Sequence, residues 1–171
     1  MPSGAAYALH RTLLYTFLWT ASVVELGLTG WRVHHTESTI GDYDPIIAEL
    51  LVTAALTILW IPVAIVAPVR KSRDLLPGSG YGTLGIETCG NFVLWVMWLV
   101  GGAIATNDWP TRAIAGPGKD GHILITIVAF SWLSFSALTL VKFLTGLHYA
   151  ALKGGEDAAH APIQEKRAGT A

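Results

Sequence analysis

Charge is what this sequence has least of. Asp, Glu, Lys and Arg make up 13% of its 171 residues, where soluble domains carry about 25%. The formal net charge of -1 leaves no basic surplus and therefore no electrostatic footprint for a nucleic-acid partner. Cys89 is the single cysteine, which excludes an intramolecular disulfide and a cysteine-based zinc site. There is no Ser-His-Asp set, no Gly-rich phosphate loop and no HExxH, so no catalytic constellation and no cofactor motif is in view. GSGYG (78–82) is too short for a phosphate loop and follows no strand, so it reads as a flexible connector. What remains is apolar. Hydrophobic residues make up 52% of the chain, mean hydropathy is +0.49, and there are 7 Trp residues. Such a balance points to a membrane protein.

A spanning helix needs about 20 mostly apolar residues, and four runs meet that length. They extend over about Leu9 to Val33, Pro45 to Val69, Thr83 to Thr106 and Gly121 to Tyr149. The runs are unbroken instead of alternating, which excludes strands, and they lack the charged face of a soluble bundle helix. In lipid the backbone must satisfy itself, so the expected fold is an all-α, antiparallel four-helix membrane bundle over 1–152. Asp44-Pro45 opens the second run as a cap followed by proline at the first helical position. Pro62 and Pro68 are expected to bend it. Polar joints at 34–44, 70–82 and 107–120 carry the breakers. The tail from Lys153 is small and polar and reads as disordered. The first run outlasts the core of a signal peptide, so it reads as a spanning segment.

Arg11, Arg70, Lys71, Arg73, Lys142 and Lys153 fall on one side of this arrangement, and Arg32, Arg112 and Lys119 on the other. The richer side is expected to be cytoplasmic, with both termini there. Arg70, Lys71 and Arg73 would then lie against the anionic leaflet. Trp31, Trp109 and Tyr43, with Tyr81 and Tyr149 opposite, form the expected aromatic belts.

Ionisable groups at depth are the candidate functional residues. Glu87 and Lys142 lie about one turn inside the same end of the third and fourth helices, and the expectation is a Glu87–Lys142 pair or snorkelling of both. Asn91, at i+4, would extend that network. Glu25 lies in the outer half of the first helix. An inward carboxyl bonded to the Trp98 indole or to the Thr53 or Thr126 hydroxyl is one reading, and a ligand or proton site is the sharper one. His34, His35 and His122 are the candidate metal ligands, although adjacent His34 and His35 point different ways on a helix. Cys89 is expected to be buried, with lipidation as the alternative. Gly101 and Ala105 form a small-xxx-small pair for close helix packing, within the bundle or between copies. Trp95 and Trp98, on a face with Phe92 and Leu99, are core packing or a groove for a lipid or sterol.

The Glu87 that precedes the aromatic run, LWVMWLVGGAIAT (94–106), ELLVTAALTILWIPVAIV (49–66) and IVAFSWLSFSALTL (127–140) together resemble the fungal branch of MARVEL-domain proteins, over about residues 8 to 150. The resemblance implies four membrane helices with cytoplasmic termini. It also implies a part in membrane apposition, vesicle trafficking or microdomain organisation, with the bilayer and partner membrane proteins or further copies as partners. No catalytic residue is implied. Glu87, Trp95, Trp98, Gly101 and Ala105 take structural roles by the same resemblance. Some members carry cysteines in the second outer loop, and this chain has none between Asn107 and Asp120.

Overall fold

The computed structural model describes the backbone of residues 4–40, 44–71, 80–109 and 119–168. Side chains are described through residues 7–38, 44–66, 85–109 and 121–147, and at 150. Every regular element among these residues is a helix: α1 (Gly4–Ile40), α2 (Pro45–Lys71), α3 (Gly80–Asp108) and α4 (Lys119–Ala168). Each of the four contains a segment long and apolar enough to cross a membrane. α1 and α3 each pack against both α2 and α4, so α1 and α3 face each other across the bundle.

The helices overrun the expected joints, and local chemistry explains where. α1 continues through 34–40 because no Gly or Pro intervenes before Gly41. The His35 ring stacks on Trp31 at 5.0 Å, and the Thr36 hydroxyl donates to the Arg32 carbonyl at 2.8 Å. α2 begins as expected, with the Asp44 carbonyl accepting from the Ile47 and Ala48 amides at 3.1 and 3.2 Å. It remains helical through Pro62 and Pro68 to Lys71. Gly80, Tyr81 and Gly82 are helical in α3, contrary to their reading as connector, while residues 72–79, with Arg73, lie outside the described residues. Beyond Lys153, where the sequence reads as disordered, the described backbone continues as helix. α4 is helical to Ala168, because Ala, Glu, Gln, Lys and Arg in the tail are good helix formers despite Gly154, Gly155 and Pro162.

The distribution of polarity is reversed relative to a soluble protein. Ser22, Glu25, Thr29, Thr53, Thr57, Glu87, Asn91, Ser131 and Ser134 are buried. Leu59 is 70% exposed and Phe143 63%, and Leu9, Leu13, Val63 and Leu140 also face outward. In water each such side chain forfeits up to about 1.5–3 kcal/mol of burial; in hydrocarbon it forfeits nothing. Several exterior hydroxyls are satisfied within their own helix. Those of Thr16, Thr20, Ser136 and Thr139 donate to the carbonyl four residues earlier, at 2.8–2.9 Å, as a dry surround requires. The chain is an integral, multi-pass membrane protein.

Candidate functional site

Two polar layers cross the bundle. The first is built on matched i, i+4 pairs: Arg11 and Tyr15 on α1 face Glu87 and Asn91 on α3. Oε1 of Glu87 accepts from Arg11 Nη2 at 2.6 Å and Nε at 3.2 Å, and from the Tyr15 hydroxyl at 2.7 Å. Arg11 Nη2 also donates to the Ala64 carbonyl of α2 at 2.9 Å. Asn91 Nδ2 donates to the Tyr15 oxygen at 2.7 Å, and Trp60 Nε1 of α2 donates to Asn91 Oδ1 at 2.9 Å. A closed polar circuit thus joins three helices. Gly90 is a requirement of it, because a Cβ there would collide with the Trp60 indole.

The expected Glu87–Lys142 pair is not formed. α4 neighbours α3, but Glu87 points to the bundle interior whereas Lys142 lies on the outward seam, with its ammonium 4.5 Å from the ring centroids of both Phe92 and Trp95. Asn91 does extend the network. Arg11, Tyr15 and Trp60 are partners that the sequence reading missed; the repeated i, i+4 spacing at one depth was the available signal.

The second layer lies ~21 Å along the bundle, about four turns from the first on both α1 and α3. Glu25 is fully buried. Its Oε1 accepts from the Ser131 hydroxyl of α4 at 3.0 Å, not from Trp98, Thr53 or Thr126. Trp98 Nε1 donates instead to the Thr57 hydroxyl at 3.1 Å, and Thr126 bonds back to the His122 carbonyl. Glu49, a carboxyl the sequence reading passed over, accepts from Thr53 at 3.1 Å and meets α3 at Gly101. A Cβ at Gly101 would clash with Glu49 Oε2 and sit 2.6 Å from Leu50 Cδ2, and one at Gly102 would lie 3.5 Å from the Ser131 Cβ. Oε2 of Glu25, Oε2 of Glu49 and the Ser134 hydroxyl are buried atoms with no hydrogen-bond partner among the described residues. Leu18, Leu94, Trp98 and Leu138, all buried, fill the space between the layers.

The remaining candidates separate by exposure. Gly101 and Ala105 are buried and serve packing inside the bundle. Trp98 is fully buried in the core, while Trp95 is half-buried and Phe92 faces outward, so the expected common face divides. Cys89 is exposed, not buried. His34, His35 and His122 are exposed, and among the described residues no group of three or more His, Cys, Asp and Glu side chains is placed to hold a metal ion. Arg70 and Lys71 form the end of α2. Comparison with protein-family models, with curated proteins and with solved structures returns no match.

Proposed function

We propose that this is a non-enzymatic membrane protein of the MARVEL kind, which organises lipids or partner membrane proteins in membrane apposition, trafficking or microdomain scaffolding. Both termini face the cytoplasm in this reading, at the plasma membrane or along the secretory pathway. The observation that carries it is the use of the interior polar groups. In the Glu87 layer they are consumed in bonds between helices, and the outward surface is apolar and aromatic. A protein of that kind acts through its shape and its lipid-facing surface. Reconstitution in vesicles with donor- and acceptor-labelled copies tests it: the expectation is energy transfer above that of random mixing, and transfer at the random level sinks the proposal.

A second reading has its own observation. Glu25 is buried with one oxygen unpartnered, as a coupling group in a small oligomeric channel or transporter would be. Between the layers the buried Leu18, Leu94 and Leu138 interrupt the polar groups Ser22, Thr57 and Ser134, which disfavours it. Liposome flux that disappears on Glu25→Gln would establish this alternative over the first.

A further inference from the structure

Lys142 is a cation at membrane depth with no carboxylate in ion-pairing range among the described residues. The 27-residue span Gly121–Leu147 is ~40 Å long against a hydrocarbon core of ~30 Å. Lys142 precedes the end of that span by ~7.5 Å, which puts it near the hydrocarbon boundary, where lipid headgroups begin. Helical side chains lean toward their own N-terminus. On α4 that direction leads toward the bilayer midplane, where the ammonium folds onto the Phe92 and Trp95 rings. Its flexible stem can instead swing the ammonium up to a headgroup phosphate at the boundary.

From there an aromatic ladder runs along the α3–α4 seam. Phe92 stacks on Trp95 at 6.1 Å, Trp95 tilts against Phe135 at 5.2 Å, and Phe135 meets Trp132 edge-on at 5.6 Å. Both indole N–H groups are tied down, Trp95 to the Thr139 hydroxyl at 2.8 Å and Trp132 to that of Thr106 at 2.9 Å. The ladder therefore presents only apolar ring surface to its surroundings. From Lys142 to Trp132 it covers ~15 Å of α4, the depth of one leaflet.

We infer that the α3–α4 seam binds one phospholipid of net negative charge, with its phosphate on the Lys142 ammonium and an acyl chain along the aromatic ladder. Two ring faces stabilise an ammonium but leave hydrogen-bond donors for an anion. A zwitterionic headgroup brings its own cation to the site and gains less. The inference rests on the lipid-organising reading only in that the chain spans a bilayer; it does not need the protein to cluster.

The test uses the full chain in mixed phosphatidylcholine–phosphatidylglycerol vesicles. Either lipid carries brominated acyl chains, and tryptophan quenching is read as a relative association constant. Trp95→Phe identifies the part of the quenching that arises at the ladder. The wild-type protein is expected to favour phosphatidylglycerol about fivefold, Lys142→Arg to keep the preference, and Lys142→Met to bring the ratio near one. A wild-type ratio near one overturns the inference without any variant, as does a preference that survives Lys142→Met. Energy transfer between labelled copies, measured in the same vesicles, separates the two proposals: lost lipid preference with clustering intact sinks only this one.

Discussion

Glu87 and Glu25 are both buried on inward faces of the bundle, and the molecule uses them in opposite ways. Glu87 has a guanidinium and a phenol on the same oxygen. The guanidinium also bonds the Ala64 carbonyl of α2, and the phenol oxygen accepts from Asn91, which in turn accepts from Trp60 of α2. Glu25 has one serine, and its second oxygen has no partner among the described residues. A carboxyl with a cation and several donors fixes the helices that bring them. A carboxyl with one hydroxyl fixes little, and its removal leaves little unsatisfied. Residue type and burial are therefore the same in the two layers, and the partner set makes the difference.

That contrast can be broken by substitution, with stability read from thermal unfolding in detergent micelles. Arg11→Met should have the largest effect, a loss of about 3–5 kcal/mol, because it strands the Glu87 carboxylate inside the bundle. Should the variant unfold at the wild-type temperature, the pair is ornamental. The glycines come next. Gly90→Ala drives a methyl into the rigid Trp60 ring and should cost about 1–3 kcal/mol. At Gly101→Ala the obstacles are the flexible ends of Glu49 and Leu50, so the cost should be smaller; the reverse order would show that the second layer, not the first, is the tighter contact.

Tyr15→Phe removes one donor to Glu87 and the acceptor for Asn91, an expected loss of about 1–2 kcal/mol. Glu25→Gln should be the mildest change, within ~1 kcal/mol of wild type, since an amide oxygen still accepts from Ser131. A larger loss there would mean that Glu25 carries an interaction beyond the one seen with Ser131.

The four helices were legible because hydrocarbon imposes one rule on the whole chain, and about 20 apolar residues satisfy it. Their ends were not, since His34 to Ile40 and the tail are polar yet still helix-forming. Depth was legible too: Glu87 and Asn91 were assigned to one end of α3, and Glu25 to the other half of the bundle. Direction was not. Lys142 lies at the level of Phe92 on the neighbouring helix, so depth alone made it the natural partner of Glu87. Only the rotation of α4 turns it outward, and rotation is set by packing of Leu138 and Val141 that no single-helix pattern reports. Cys89 was misjudged for the same reason, being two positions from Glu87 and hence on another face.

A double-mutant cycle between Arg11→Met and Glu87→Gln, measured by unfolding in micelles, tests most directly whether polar contacts at depth bind these helices together. A coupling of about 2 kcal/mol is predicted, with the double variant more stable than the sum of the single losses implies. Additivity within ~0.5 kcal/mol would contradict it, showing that the two side chains do not hold α1 to α3.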